Sequence, residues 1–172
     1  MTDTWTPSDT WIAYESPLGC LIVVLSPLGA LRAIRFPGGA RPPAAARRPA
    51  PRVAAQLDEY FRGGRQEFEL DVELTGSASQ RAVWERLRRI PYGSTESYGR
   101  IVEDLGDAAF PAGLEPHERA RAVGAEVGRT PVPIVIPCHR VIGADGSLTG
   151  YGGGLERKRA LLDLESSQLA LL

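Results

Sequence analysis

The most reactive side chain in this sequence is the thiol of Cys138, which stands between Pro137 and His139 in the stretch VPIVIPCHRVIG. A buried cysteine usually behaves as a small apolar residue, and that interpretation holds for Cys138 if its neighbours are ignored. His139 places a base beside the thiol and Arg140 places a positive charge near it, and both favour the thiolate. We therefore predict that Cys138 is a nucleophile that attacks carbon or sulfur.

A second stretch, ARAVGAEVG, places one arginine, Arg121, among small residues of a predicted helix. Its neighbours Ala120, Ala122 and Gly124 let the helix come very close to another surface. Packing against a second helix is one interpretation of this pattern. The other is close approach to a groove of DNA, with Arg121 reaching into the groove.

The elements before residue 77 predict a small α/β domain over 1–76, with a short antiparallel sheet and a helix. The tetrapeptide SPLG occurs twice between apolar runs and suits a tight turn, which predicts three strands, at 11–15, 20–25 and 30–36. Residues 37–52 are rich in proline and are predicted to form a loop. We expect a helix from Val53 to Gly63, and the alternation in FELDVEL predicts a further strand over 68–74.

From residue 77 onward the pattern becomes helical, which predicts a second domain over 77–172. Four helices are expected, and they are SQRAVWERLRRI with Ser79 as its N-cap, Ser97 to Gly106, Pro116 to Gly128, and 154–165. Two short helices joined by a loop, after a supporting helix, suggest a helix-turn-helix. The apolar run 134–136 is expected to be a buried strand-like segment that ends at Pro137.

Composition and charge exclude some classes of function for this protein. The net charge is −1 at pH 7, so no overall field attracts the chain to nucleic acid or to anionic membranes. No apolar run approaches the ~18 residues of a membrane span, and the first ten residues do not resemble a signal peptide. We therefore expect a cytoplasmic protein with reduced thiols and no membrane partner. A Cys20–Cys138 disulfide and a zinc site on His117 and His139 are alternatives, but CxxC and HxxxH spacings are absent, so no metal is expected.

The stretch IPCHRVIG, with AVGAEVGRTPVP before it and GYGGGLERKRALLDLE after it, resembles the O6-alkylguanine-DNA alkyltransferase family. The resemblance covers 53–172 well and 11–36 more weakly. It implies a winged helix-turn-helix-like C-terminal domain. It also implies a monomer without a cofactor, which binds the minor groove of double-stranded DNA carrying O6-alkylguanine. The implied activity is direct-reversal DNA repair by irreversible, single-turnover transfer of the alkyl group.

The resemblance implies a chemical role for each residue that matches the family's active site. Cys138 is the alkyl acceptor, and His139 takes the thiol proton through a bridging water. Glu165 orients His139, as in a catalytic triad. Tyr98 donates a proton to N3 of the departing guanine, whereas Arg140 serves the structure.

The same resemblance implies how DNA and the alkyl group are held. Arg121 fills the space left by the flipped base, and the small residues around it, Ala120, Ala122 and Gly124, allow the helix into the minor groove. The expected alkyl pocket has five residues, and they are Pro133, Val141, Tyr151, Gly152 and Gly153. The carbonyls of Cys138 and Val141 would accept hydrogen bonds from the exocyclic amine of guanine.

Three features depart from the family pattern, and all three bear on DNA affinity and rate. Thr130 stands where an asparagine usually ties the recognition helix to the active-site segment. Glu126 places an acid near the end of that helix, where we expect it to face the groove side. The loop 106–118 is longer than usual.

Three other functions fit part of the pattern. A protein that binds alkylguanine without repairing it is the main alternative, but such relatives lack the cysteine. A helix-turn-helix regulator reads the major groove with polar side chains, which this small-sided helix does not offer. A cysteine hydrolase would need an oxyanion site and repeated turnover.

Overall fold

The computed structural model describes residues 6–36, 38 and 47–169. The chain divides into two compact units, Met1–Leu74 and Thr75–Leu172. Within the described ranges, no helix combines the length and the apolar character needed to cross a membrane. Cys20 and Cys138 are both free thiols.

The first unit contains a three-stranded antiparallel sheet with the order β1–β2–β3. Its strands are Thr10–Ser16, Gly19–Leu25 and Leu31–Arg35, which confirms the predicted meander. The turn between β2 and β3 needs a left-handed backbone at Gly29, whose φ is 87°, and glycine adopts that conformation without steric cost.

The helix of this unit, α1, spans Pro51–Phe61 and so begins two residues before the predicted start. Residues 37 and 39–46 of the predicted 37–52 loop lie outside the described residues. The core combines apolar side chains of the sheet with those of α1, all at most 1% exposed, and they include Leu21, Val23, Leu31, Ile34, Leu57 and Tyr60. Because side chains alternate along a strand, Ile22 and Val24 lie on the other face, where they pack with Trp11 and Ala33.

The predicted strand over 68–74 is wrong. Only one bridge forms there, a parallel pairing of Leu31 with Val72. The backbone of Glu69 is occupied by the side chain of Gln56, whose amide donates to the Glu69 carbonyl at 3.2 Å and accepts from its N–H at 2.9 Å. A side chain of α1 therefore takes the hydrogen bonds that a strand would need.

The described part of the second unit, 75–169, contains four α-helices and a two-stranded parallel sheet. The helices are α2 (Ala78–Leu87), α3 (Tyr98–Leu105), α4 (Pro116–Gly128) and α5 (Leu155–Leu169). Strand β4, Glu96–Ser97, pairs with β5, Val141–Ile142. Short 3-10 turns lie at Asp107–Ala109 and Cys138–Arg140. The predicted helices are confirmed, although α5 extends beyond its predicted end.

The N-cap of α2 is Ser77, so the prediction of Ser79 is wrong. The Ser77 hydroxyl accepts from the Gln80 N–H at 3.2 Å, and the Gln80 side chain accepts from the Ser77 N–H at 2.9 Å. This reciprocal capping box satisfies two backbone donors, whereas Ser79 only bonds to the Ser77 hydroxyl. The spacing Ser77-x-x-Gln80 was the sequence signal for it.

Helices α3 and α4 form the predicted helix-turn-helix and pack on α2. Ser97 caps α3 by accepting from the Arg100 N–H at 3.2 Å. Gly106 ends α3 with a φ of 72°, a left-handed conformation that suits glycine at a helix end. Apolar side chains from all three helices are buried at the centre, and they include Val83, Leu87, Ile101, Val123 and Val127.

Candidate active site

Cys138 is the first residue of a 3-10 turn and is buried, with 4% of its surface exposed. The segment before it is a turn and not the expected strand, since Pro133 pairs with Ile136 across residues 134–135. Two prolines explain the difference, because Pro133 and Pro137 have no N–H to donate to a ladder. The expected burial is nevertheless present, and of the run 134–136 only Val135 is not fully buried.

The turn holds Ile134 in a left-handed backbone conformation with a φ of 77°. For a β-branched side chain this conformation is strained, at a cost of about 1–3 kcal/mol. The Ile134 side chain is 1% exposed, and the Ile136 N–H donates to the Val132 carbonyl at 2.9 Å across the turn. Packing and backbone hydrogen bonding therefore fix the chain immediately before the thiol.

His139 and Glu165 form a fully buried pair, with 2.8 Å between Nε2 and Oε1. Arg140 binds the same carboxylate through Nε at 2.8 Å and Nη2 at 2.9 Å. The Gly93 N–H donates to Oε2 at 3.1 Å. Burial by itself raises the pKa of Glu165, but the hydrogen bonds from His139 and Arg140 outweigh it and hold that pKa well below its ordinary value. Glu165 is therefore an ionised carboxylate and accepts all of these bonds.

The tautomer and the protonation state of the His139 ring follow from the ionised carboxylate of Glu165. A carboxylate only accepts hydrogen bonds, so Nε2 carries the proton of the neutral imidazole and Nδ1 carries the lone pair. Nδ1 is buried and has no hydrogen-bond partner among the described residues. Burial lowers the pKa of His139 below its ordinary 6.5, although Glu165 acts in the opposite direction. The ring is thus neutral near pH 7 and can accept a proton at Nδ1.

The resting state of Cys138 is the thiol. Burial raises its pKa to about 11, against smaller opposing effects of a hydrogen bond with the Thr130 side chain and of the charge on Lys158. The expectation that Arg140 favours the thiolate is wrong. The Arg140 guanidinium is turned to Glu165, donates to the Ile90 carbonyl at 2.6 Å and lies 5.5 Å from the centre of the Tyr92 ring. A base must therefore remove the thiol proton before Cys138 can attack.

Sequence reasoning missed Lys158. Its side chain is fully buried, and its ammonium donates to the carbonyls of Val141 at 2.6 Å and Thr149 at 2.7 Å. It thereby joins α5 to β5 and to the loop that follows β5. The signal was present, since Lys158 is the single lysine among 20 basic residues.

Tyr98 is the first residue of α3 and is half-buried. Its hydroxyl accepts from the Thr149 hydroxyl at 3.3 Å. Its ring lies beside Gly124, where a Cβ would make an ordinary van der Waals contact with it at 3.6 Å. The predicted small residue on α4 therefore lies against the predicted tyrosine on α3.

The predicted pocket residues lie on the segments that flank the thiol. Pro133 and Val141 are buried on either side of Cys138 in the chain. Tyr151 and Gly152 follow in the loop before α5, and the charge of Cys138 contributes to a raised Tyr151 pKa, after burial as the main cause. Gly153 is buried and accepts from Arg157 at 2.7 Å.

The exposed face of α4 carries Arg121 and Ala122, with Ala120 and Gly124 partly exposed beside them. Val123 and Val127 are on the opposite, buried face. Glu126 does not face the groove side as expected. Its carboxylate accepts from the Gln80 amide at 3.0 Å, and its carbonyl accepts from the Trp84 indole at 3.0 Å, so it lies against α2.

Thr130 connects α4 to the active-site segment. It is buried, and its hydroxyl donates to the Val127 carbonyl in the last turn of α4 at 2.8 Å. The same side chain lowers the pKa of Cys138, against the larger effect of burial. A hydroxyl at this position therefore bonds to the end of α4 and acts on the thiol.

Comparison with known proteins gives consistent matches. The family model described as the DNA-binding domain of 6-O-methylguanine DNA methyltransferase matches residues 78–167. Methylated-DNA–protein-cysteine methyltransferase from Mycobacterium tuberculosis is 50% identical over 113 residues, which cover 66% of this chain and 63% of that protein. An inducible protein of the same name from Bacillus subtilis is 48% identical over 112 residues, or 65% of this chain and 58% of that protein. The chain thus spans less than two thirds of the length of these relatives.

Solved structures match over most of the chain. O6-methylguanine methyltransferase from Mycobacterium tuberculosis is 39% identical, with a TM-score of 0.78 over 95% of this chain and 98% of that one. A structure of OGT from the same organism in complex with DNA is 40% identical, with a TM-score of 0.79 over 93% of each chain.

Proposed function

This chain belongs to the 6-O-methylguanine DNA methyltransferase family, and we propose that it repairs O6-alkylguanine in double-stranded DNA by transferring the alkyl group to its own Cys138. The observation that carries the proposal is the buried thiol of Cys138, followed directly by His139 in contact with Glu165. The transfer forms a thioether on the protein itself, so each molecule acts once and no cofactor takes part. We further propose that the protein acts as a monomer in the cytoplasm.

The chemistry begins with the thiol proton. His139 accepts it at Nδ1, through a bridging water, because Nε2 is held in the protonated state by Glu165. The Cys138 sulfur then attacks the alkyl carbon, a carbon–sulfur bond forms, and the bond from that carbon to guanine O6 breaks. The electron pair remains on guanine, and Tyr98 donates a proton to guanine N3. The proton on His139 returns through solvent to the tyrosinate, so the net products are alkyl-cysteine and guanine.

The alkylated guanine must leave the DNA duplex before it can react, because a thiolate cannot reach it inside the duplex. We propose that α4 enters the minor groove and that Arg121 occupies the vacated position. This is supported by the exposure of Arg121 and by the small residues around it, Ala120, Ala122 and Gly124. The flipped base would lie between Pro133 and the loop Tyr151 to Gly153, with the carbonyls of Cys138 and Val141 accepting from its amine.

The test is intact-protein mass spectrometry after incubation with an excess of duplex that contains O6-methylguanine. We expect a gain of one methyl group, located on the peptide that contains Cys138, and no further reaction. Cys138→Ser should gain no methyl group, and Cys20→Ser should behave as the parent protein. Repeated turnover, or a methyl group on Cys20, would show that the proposal is wrong. Tight binding without transfer would favour the non-repairing alternative.

A further inference from the structure

A buried arginine in the second unit, Arg86 on α2, has no role in the chemistry proposed above. Its side chain is 8% exposed and binds two carboxylates. Nε donates to Asp104 at 2.9 Å, and Nη2 donates to both Asp104 and Glu96. The third nitrogen, Nη1, is buried without a hydrogen-bond partner within the part of the chain that the structure describes.

The two carboxylates lie at opposite ends of the helix that begins with Tyr98. Glu96 is in β4, two residues before Tyr98, and Asp104 is in the last turn of α3. One guanidinium on α2 therefore holds both ends of α3. Tyr98 is the first residue of α3, so the backbone that carries its side chain lies between the two contacts of Arg86.

Stability alone does not account for this cluster. A buried ion pair is often no more stabilising than well-packed apolar residues of similar volume, and a buried guanidinium nitrogen without a partner adds a desolvation penalty. The cluster does provide a defined geometry, because each carboxylate accepts hydrogen bonds from the same guanidinium in a fixed direction.

We infer that Arg86 is a positioning residue that aligns Tyr98 with the departing guanine, an inference that rests on the proposed function of Tyr98. A proton donor must lie within hydrogen-bond reach of its acceptor during the reaction. A displacement of about 1 Å in such a group reduces a rate by up to about 100-fold. Loss of Arg86 releases both ends of α3 and so moves the phenol.

The test is a double-mutant cycle on single-turnover dealkylation of free O6-benzylguanine, which needs no duplex. Arg86→Met keeps the length of the apolar stem and removes the charge, and Glu96 and Asp104 are 23% and 28% exposed, so water can solvate them. We expect Arg86→Met to slow dealkylation roughly 10-fold or more. In a Tyr98→Phe background the same substitution should cause no further loss, because the group that it positions is gone. Glu96→Gln serves as a milder second variant and should show the same pattern.

Two controls separate positioning from general damage. Arg88→Met removes the arginine at the C-cap of α2, whose side chain, among the described residues, pairs with Glu85 at the surface, and it should react at the parent rate. Alkylation of Cys138 by iodoacetamide does not need Tyr98, so Arg86→Met should leave it unchanged. Additive losses in the cycle, or an equal loss with iodoacetamide, would overturn the inference. Methyl transfer from duplex O6-methylguanine to the parent protein tests the proposed function separately, so an additive cycle in a protein that repairs the duplex overturns only the role of Arg86.

Discussion

At the scale of single residues, the active site depends on which group holds a proton. Glu165 is ionised because Arg140 and Gly93 donate to it, and it therefore keeps the proton of His139 on Nε2. This leaves the lone pair on Nδ1, where the proposed reaction needs a base. Burial keeps Cys138 neutral until that base acts.

These pKa shifts predict the pH dependence of alkyl transfer. The His139 pKa lies below its ordinary 6.5, so the ring stays neutral, and able to accept a proton, into mildly acidic solution. The Cys138 pKa is about 11, so direct ionisation of the thiol adds little near neutrality. We expect a nearly constant single-turnover rate between about pH 6.5 and pH 9, with a decrease only at lower pH.

Thermal melts at each pH provide the control for this profile. A histidine with a lowered folded-state pKa stabilises the fold above its unfolded-state pKa, and that contribution is lost as the pH falls from there towards the folded-state pKa. A lower rate in acid is evidence for protonation of His139 only at pH values where the melts show that the protein remains folded. A rate that rises about tenfold per pH unit between about pH 7 and pH 9 would contradict the prediction, because it would indicate attack by a thiolate formed without His139.

At the scale of elements, the recognition helix and the thiol are joined through one short connection. Helix α4 ends at Gly128, and the Thr130 hydroxyl bonds back to the Val127 carbonyl, while the same side chain lowers the pKa of Cys138. The loop before α4 is held in a similar way by Arg119, which donates to the Leu114 carbonyl at 2.9 Å, pairs with Asp107 and lies 5.9 Å from the centre of the Phe110 ring. The longer loop is thus ordered around a side chain of the helix that it precedes.

The Thr130 connection can be tested by removing its hydroxyl. Thr130→Val keeps the shape of the side chain but removes the hydrogen bond from the hydroxyl to the Val127 carbonyl, at a cost of about 1 kcal/mol. We expect the melting temperature to fall by about 2–4 °C and duplex repair to slow. Thr130→Ser keeps the hydroxyl and is the matched control, for which both values should stay near those of the parent. If Thr130→Val melts and repairs like the parent, the position is an ordinary loop residue.

At the scale of the whole molecule, the charge distribution limits the proposed binding to DNA. The net charge is −1, and many arginines of the second unit already pair with acids. Those with an acidic partner are Arg86, Arg88, Arg100, Arg119, Arg129 and Arg140. Few cations are therefore available to neutralise phosphates.

The dependence of DNA affinity on salt measures how many phosphates are neutralised. Each neutralised phosphate adds about −0.9 to the slope of log K against log salt concentration. We expect about two to four such contacts, and hence a slope shallower than about −4, measured by titration with a duplex at several salt concentrations. A slope near about −8 would contradict this prediction. It would require an extended basic surface, and these ion pairs leave too few free cations to form one.

The sequence by itself determined most elements of this protein and predicted its chemistry, because both depend on local patterns. Turn residues and apolar periodicity placed the meander and the helices, and the residues around Cys138 predicted a nucleophile and its base. The predictions from sequence were wrong where a side chain from a distant element formed an unexpected contact. Gln56 occupies the backbone of Glu69, so 68–74 forms no strand, and Arg140 turns from the thiol to Glu165.

Only the tertiary structure decided the protonation states and the alignment of the reactive groups. The thiol is neutral because it is buried, and burial depends on the packing of the whole unit. The His139 tautomer depends on a carboxylate 26 residues away. Lys158, Glu126 and Arg86 contact residues on other elements. Patterns along the chain do not show which distant residues meet in the fold. Long-range contacts set electrostatic environments, whereas local sequence sets secondary structure, and this protein's site depends on both.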